Sequence, residues 1–378
     1  MQFEYLKQHM DTLGETQRVP GRYIIVTHHG KRVFEYGAGF ADDAKTKPFT
    51  ADTLVNMYSC TKPVTCTAAL QLLEKGKFLL EDPIAKYLPA FKDMTVRHIS
   101  KSGIEEIKKA ENPILIHHLF TMTAGLSYEV NTPSILKVLE RKNYTTRELV
   151  DAIADEPLLF EPGTAFHYSL CHDVLGALIE VISDMTYDDY LKKNIFEPLG
   201  MENTGTKTSD DIFERMADQY ILNPETDTVE NIGKKNNLFF SGQFRGGGCL
   251  ISSANDFIRF ATAMSLFGKS PEGAQILSKS TINMMRTPQI NPIELGATQT
   301  TFLNQGYNYG LGVRTAVSSK CGRMMAPGEF GWSGAAGSFI LMDPDEEIAI
   351  IYVQHRRNSQ SENNHPRIRN MVYAELVK

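Results

Sequence analysis

The sequence has few cysteines, no excess of basic residues and no long apolar run. Its five cysteines in 378 residues are odd in number and scattered, which fits buried thiols in a reducing compartment better than a disulfide framework. The net charge is −6, from 39 basic and 45 acidic residues, whereas a nucleic-acid or anionic-membrane surface requires a basic excess. No stretch approaches the roughly eighteen apolar residues of a membrane span.

The first residues also lack the basic segment followed by an apolar segment that marks a signal peptide. With the cysteine pattern, this predicts a cytoplasmic protein. The sequence therefore predicts no nucleic-acid partner and no membrane partner, and it leaves the oligomeric state open.

An apolar content of 42% and a charged content of 22% are those of an ordinary globular protein. The length is too great for one small core, so two domains, or one domain with an insertion, are expected. We predict an α/β domain formed by residues 1–81 and 241–378, and a helical domain formed by residues 82–240.

Strand signals at both ends of the chain flank a region of helical signals. Strands are predicted at 22–27, 32–36, 307–316, 329–332, 338–342 and 348–354, the first two joined as a hairpin. Helices are predicted at 1–13, 64–75, 83–87, 114–122, 146–155, 170–183, 188–195 and 366–377. This order predicts an α/β (α+β) fold whose sheet is covered by terminal helices and carries a mostly helical insertion.

The chemistry is predicted to centre on Ser59 and Lys62, which lie between a strand-like run and a helical run. A separation of three residues at a helix start places both side chains on one face. A lysine partly removed from water has a lowered pKa, so we expect Lys62 to accept the serine proton in its neutral form. The helix N-terminus favours negative charge beside Ser59.

A Ser-x-x-Lys match is weak alone, because one or two are expected by chance in a chain of this length. A second match, Ser134 to Lys137, has no preceding strand and is interpreted as the chance one. The alternative for Ser59 is an N-cap serine, with Lys62 as a surface charge.

Tyr168 and Trp332 mark two further segments. Tyr168 precedes a predicted helix, and a phenol at such a turn can act as general base and then general acid if a nearby lysine lowers its pKa. The alternative is a half-buried aromatic residue bonded to backbone. The stretch 330–338, which holds Trp332, is a strand whose small residues allow a substrate to lie against the backbone; its alternative is an ordinary edge or core strand.

The order of these segments resembles the serine β-lactamase and penicillin-binding-protein superfamily, in particular its class C β-lactamase-like branch. The matching motifs are Ser59-Cys60-Thr61-Lys62, Tyr168-Ser169-Leu170 and Trp332-Ser333-Gly334. Stretches 118–126, 162–164 and 246–256 are also similar, so the resemblance covers roughly residues 20–355. It implies a β-lactamase/transpeptidase-like fold with an antiparallel sheet.

Two departures from the family pattern concern the substrate. Leu170 replaces an asparagine that helps β-lactamases hold the antibiotic's amide, and Trp332 replaces a basic residue that helps hold the substrate carboxylate. Loss of that cation removes a charge-assisted contact with an anionic ligand. The Trp-x-Gly motif resembles instead the family VIII carboxylesterases, so Leu170, Trp332, Ser333 and Gly334 are predicted to contact an uncharged acyl or alcohol group.

The resemblance implies acyl transfer from a small ester or amide. Ser59, activated by Lys62 and Tyr168, attacks the carbonyl, and the backbone N–H groups of Ser59 and Ala335 bind the oxyanion. Neither a metal nor an organic cofactor is implied.

Several alternatives stay open at this point. A class C-type β-lactamase, a D-amino-acid peptidase and a non-catalytic scaffold would share the fold. An α/β-hydrolase is disfavoured because the nearest match to its serine motif, residues 331–335, ends in alanine. A cysteine hydrolase built on Cys60 with His167 or His172 lacks the local signatures, and the histidine pairs lack metal-site spacing.

Overall fold

The computed structural model describes residues 2–99, 103, 105–141, 143–234, 245–291, 306–319 and 324–377. Its helices are α1 (Glu4–Thr16), α2 (Thr61–Glu74), α3 (Ile116–Phe120), α4 (Pro133–Leu139), α5 (Thr146–Ala154), α6 (Cys171–Ser183), α7 (Tyr187–Leu191), α8 (Glu197–Leu199), α9 (Asp210–Arg215), α10 (Arg245–Gly248), α11 (Ala254–Ser265), α12 (Lys279–Arg286) and α13 (Ser361–Leu376). Its strands are β1 (Gly21–His28), β2 (Lys31–Gly39), β3 (Val55–Asn56), β4 (Thr95–Ile99), β5 (Glu105–Lys109), β6 (Tyr220–Asn223), β7 (Thr228–Asn231), β8 (Ile251–Ser252), β9 (Tyr307–Tyr309), β10 (Arg314–Ala316), β11 (Phe330–Ser333), β12 (Phe339–Asp343), β13 (Ile348–Gln354) and β14 (Arg356–Arg357).

Strands from both ends of the chain form one seven-stranded sheet in the order β2-β1-β13-β12-β11-β10-β9. Every neighbouring pair is antiparallel, and β1 from the N-terminal part lies directly against β13, with Ile24 opposite Tyr352. All seven residues of β13 are buried. A continuous apolar run is what a strand covered on both faces requires.

Helices cover the two faces of this sheet. On one face, Leu6 of α1 and Val372 of α13 pack with the β1 and β13 residues Ile24 and Ile350. On the other face, α11 packs against the opposite side chains of β1 and β13, including Ile25, and α2 contacts β11. The predicted α/β fold, an antiparallel sheet flanked by terminal helices, is confirmed.

Several predicted boundaries were wrong. The predicted strand 307–316 is two strands, β9 and β10, because the chain turns between them and the Gly310 N–H donates to the Val313 carbonyl at 2.8 Å. Helix α13 begins at Ser361, five positions before the predicted start, and holds Pro366 inside it. Predicted helix 83–87 is only a single tight turn, Ile84–Lys86.

Some elements gave no clear signal in the sequence. The β4–β5 hairpin is mostly exposed, and it lacks the apolar alternation of a half-buried strand pair. The pair β6–β7 and helices α11 and α12 were also not predicted. The proposed domain division at residue 81 stays a prediction, and the division at residue 240 lies outside the described residues, as does Cys321.

Among the helices of the described ranges, none has both the length and the apolar character needed to cross a bilayer.

Candidate active site

Ser59 lies in a tight turn that joins strand β3 to helix α2. The preceding residue, Tyr58, has φ +47°, a left-handed conformation that is rare for an aromatic residue. The buried Tyr58 hydroxyl donates to Gln219 Oε1 at 2.5 Å, and this hydrogen bond stabilises the turn. The strained turn presents the Ser59 hydroxyl to a surface cavity.

Lys62 lies one helical turn after Ser59 and is fully buried. Its Nζ lies 3.3 Å from Ser59 Oγ and donates to the Gly247 carbonyl at 2.6 Å. Burial lowers the pKa of Lys62, but charge interactions with Tyr128, Tyr168 and Asp173 outweigh burial and raise that pKa above its usual value. This direction is opposite to the lowered pKa that we expected from burial, and it favours the ammonium form of Lys62, which stabilises negative charge on the oxygens beside it.

Tyr168 reaches Ser59 from the loop before helix α6. Its hydroxyl donates to Ser59 Oγ at 2.7 Å, and Lys62 Nζ lies 4.7 Å from the centre of its ring. The structure therefore brings together all three residues that the sequence selected as catalytic. A serine oxygen that contacts both a phenol and an ammonium is equipped to exchange a proton during attack on a carbonyl.

Two aromatic side chains enclose the Tyr168 ring. Trp332 stacks on one side with ring centres 5.7 Å apart, and its indole N–H donates to the Tyr168 oxygen at 3.3 Å. Tyr128 also stacks on Tyr168, with ring centres 5.3 Å apart, and Lys62 Nζ lies 5.7 Å from its ring centre. Burial raises the pKa of Tyr128 to about 12, so this phenol stays neutral. No sequence pattern indicates a role for Tyr128.

The end of strand β11 forms the cavity wall beside Ser59, through Ser333, Gly334 and Ala335. A Cβ atom on Gly334 would lie 2.4 Å from the carbonyl oxygen of Met57, so only glycine lets this strand approach the Ser59 turn. Ala335 thus lies at the cavity wall with Ser59. The binding of the oxyanion by the backbone N–H groups of Ser59 and Ala335 stays a prediction.

The cavity has a volume of about 450 Å³ and extends from Ser59 to the first turns of helix α13. Charged and polar residues that also line it include Arg314, Glu362, His365 and Arg369. Arg369 is paired with the buried carboxylate of Glu329 at 2.8 Å. No sequence motif indicates Arg314, and its presence gives the cavity a cation.

Leu170 is not brought to this cavity. Its side chain is 1% exposed, it precedes helix α6, and it borders a separate small cavity with Ser127 and Ile153. The other predicted contact residues do line the cavity, although the Ser333 hydroxyl is directed to His365 Nδ1 at 3.3 Å.

The alternative nucleophiles have other environments. Burial raises the pKa of the Cys60 thiol to about 12, which disfavours the reactive thiolate. The Ser134 hydroxyl is hydrogen-bonded to Glu156. Within the described parts of the chain, there is no group of three or more His, Cys, Asp or Glu side chains suited to a metal ion.

Comparison with known proteins places the chain among similar sequences over nearly its whole length. The family model described as Beta-lactamase matches residues 6–373. An uncharacterized protein of Mycobacterium tuberculosis is 30% identical over 330 residues, which cover 84% of this chain and 81% of that protein. Esterase EstB of Burkholderia gladioli is 30% identical over 197 residues, which cover 50% of this chain and 47% of EstB.

A solved structure has the same fold. The structure of EstCE1, described as a hydrolase with promiscuous acyltransferase activity, superposes with a TM-score of 0.77 at 24% identity and covers 98% of this chain and 97% of EstCE1.

Proposed function

This chain belongs to the Beta-lactamase family, and we propose that it is a serine hydrolase that cleaves small carboxylic esters, or transfers their acyl groups, through an acyl-enzyme on Ser59. One observation carries the proposal: Ser59 Oγ lies 2.7 Å from the Tyr168 hydroxyl and 3.3 Å from Lys62 Nζ at the edge of an open cavity. The similarity to esterase EstB supports the ester as substrate class.

In the first half of the reaction, Ser59 Oγ forms a bond to the ester carbonyl carbon. In the resting site the Tyr168 hydroxyl donates to Ser59 Oγ, so Tyr168 must first release its own proton. The serine proton then passes to the Tyr168 oxygen, beside the Lys62 ammonium. The Ser59 and Ala335 N–H groups bind the oxyanion. Tyr168 then gives the proton to the alkoxide as the carbon–oxygen bond breaks, and the alcohol leaves.

In the second half, water or another alcohol attacks the acyl-enzyme. Tyr168 accepts its proton, the bond between the acyl carbon and Ser59 Oγ breaks, and Ser59 Oγ regains a proton from Tyr168. Attack by water gives the free acid, and attack by an alcohol gives a new ester.

The preference for neutral esters rests on Trp332. Its indole occupies the cavity wall next to Tyr168, where the family motif has a basic residue, so a substrate carboxylate meets a ring there instead of a cation. A second candidate, a class C-type β-lactamase or D-amino-acid peptidase, is favoured by Arg314, a cation that lines the cavity and suits an anionic substrate.

The test compares kcat/KM for p-nitrophenyl butyrate, benzylpenicillin and a chromogenic cephalosporin, with Ser59→Ala as the control. A missing charge-assisted contact costs about 1.5–3 kcal/mol, so the neutral ester should be favoured by about tenfold to a hundredfold. A kcat/KM for benzylpenicillin that equals or exceeds that of the ester would replace the esterase by the second candidate. The variant Arg314→Gln would then lower the penicillin rate and spare the ester rate.

A fluorophosphonate probe distinguishes the proposed enzyme from a non-catalytic scaffold of the same fold, because a scaffold would not react with the probe. We retain the cytoplasmic location in the proposal because the buried thiols of Cys60, Cys66 and Cys171 form no disulfide.

A further inference from the structure

The Lys62 ammonium has a second contact, away from Ser59, through the short segment of helix α10. Lys62 Nζ donates to the Gly247 carbonyl at 2.6 Å, and the N–H of the same Gly247 donates to Asp173 Oδ1 at 3.0 Å. The peptide groups on the two sides of Gly247 thus join the ammonium and the carboxylate. Asp173 lies in the first turn of helix α6, five residues after Tyr168.

The packing around Gly247 depends on the absence of side chains. A Cβ atom on Gly247 would lie 2.6 Å from Asp173 Oδ2, and one on Gly246 would lie 1.8 Å from the His172 carbonyl oxygen. Real Cβ atoms do not approach neighbouring atoms so closely. The two glycines therefore let this segment lie directly between α6 and Lys62.

We propose that Asp173 is a positioning residue for the Ser59 reaction: it fixes Gly247, whose carbonyl in turn fixes the Lys62 ammonium beside Ser59 and Tyr168. The proposal rests on the proposed function of the Ser59 site. Asp173 does not reach the reacting atoms itself, so it acts through Lys62.

The charges on this path agree with such a role. Asp173 is 3% exposed and Lys62 is 0% exposed. Each is therefore an ionisable group removed from water, and its charged form needs a compensating partner. Burial raises the pKa of Asp173 to about 6, while Lys62 and the Gly247 N–H lower it. The charge interaction between the two groups favours the ionised carboxylate together with the charged form of Lys62.

A helix-capping role is the alternative reading of Asp173, because carboxylates in a first helical turn stabilise helices. That role predicts a loss of folding stability with no specific effect on Lys62. The two roles therefore differ in how the Asp173 effect depends on Lys62.

The experiment is a double-mutant cycle on p-nitrophenyl butyrate hydrolysis with Asp173→Asn, Lys62→Ala and the double variant. Asparagine keeps an oxygen for the Gly247 N–H and removes the charge. We expect Asp173→Asn to lower kcat by about tenfold to a hundredfold, the cost of a misplaced catalytic group, with KM within twofold. In the Lys62→Ala background the same change should alter kcat by less than twofold.

Asp256→Asn is the matched control. Asp256 is also a buried carboxylate, 4% exposed, that accepts a backbone N–H, from Asn203 at 2.7 Å. Burial likewise raises its pKa, but it does not line the Ser59 cavity. This variant should lower Tm and leave kcat within twofold of the wild-type value.

A second variant covers the case in which Asp173→Asn fails to fold. Gly247→Ala forces the Gly247 peptide away from Asp173 and should lower kcat by a similar factor, again only when Lys62 is present. Gly205→Ala, whose Cβ meets no atom within 4 Å, is its control. Equal kcat losses with and without Lys62, or a wild-type kcat in Asp173→Asn, would overturn the proposal while the Ser59 mechanism still held.

Discussion

Replacement of Tyr168 by phenylalanine removes one oxygen and keeps the ring that stacks with Tyr128 and Trp332. That oxygen is the donor to Ser59 Oγ at 2.7 Å and the acceptor of the Trp332 indole N–H at 3.3 Å. A positioned proton carrier contributes about a hundredfold to ten-thousandfold in rate, which corresponds to about 2.7–5.4 kcal/mol of activation free energy.

The effect on folding should be much smaller. A net hydrogen bond contributes about 0.5–1.5 kcal/mol to stability, and the Tyr168 side chain borders an open cavity where water can replace it. We therefore expect kcat for p-nitrophenyl butyrate to fall by at least a hundredfold with a change of only a few degrees in Tm.

The matched control is Tyr190→Phe, which also removes a tyrosine hydroxyl. Tyr190 is buried, with 2% exposure, and it does not line the cavity. It should leave kcat within twofold. If Tyr168→Phe retained kcat within fivefold of wild type, Tyr168 would not be the proton carrier, and the two-step mechanism would be wrong at that residue.

Three further changes test other parts of the structure. Trp332→Phe keeps an aromatic wall but loses the N–H donated to Tyr168, so kcat should fall about threefold to tenfold, measured on the same ester. Arg369→Ala leaves the Glu329 carboxylate, whose side chain is 1% exposed, without its cationic partner. The free energy of unfolding, measured with urea, should therefore fall by about 3–5 kcal/mol. Burial lowers the pKa of His355 to about 4 from 6.5, so only the unfolded chain takes up a proton as pH falls through this range, and stability should decrease from pH 6.5 to 4. His355→Gln should make that decrease smaller in urea titrations at each pH; an unchanged slope would show that another group causes it.

Ser59, Lys62 and Tyr168 could be selected from the order of three motifs together with the family resemblance, because each lies at or just before the start of a helix, where the local sequence determines its placement. Leu170 shows the limit of that reasoning. It is two residues from Tyr168, but the chain turns into α6 there and directs its side chain into the core. Spacing along a motif does not specify side-chain direction where a loop becomes a helix.

Residues that reach the cavity from distant parts of the chain could not be predicted. Arg314 is placed by the antiparallel pairing of β10 with β11, where it lies opposite Gly331. Tyr128 comes from a loop with no regular pattern. The raised pKa of Lys62 could not be predicted for the same reason, since burial alone lowers that pKa and the nearby phenols and Asp173, which raise it, come from other elements.

The most direct test of the Ser59 acyl-enzyme is to mix the protein with p-nitrophenyl acetate, stop the reaction in acid within the first turnovers, and map the acyl group by peptide mass spectrometry. We predict one acetyl group per chain on the peptide that contains Ser59, and none in Ser59→Ala. An acetyl group on Ser134 or Ser333, or undiminished ester turnover by Ser59→Ala, would contradict the mechanism.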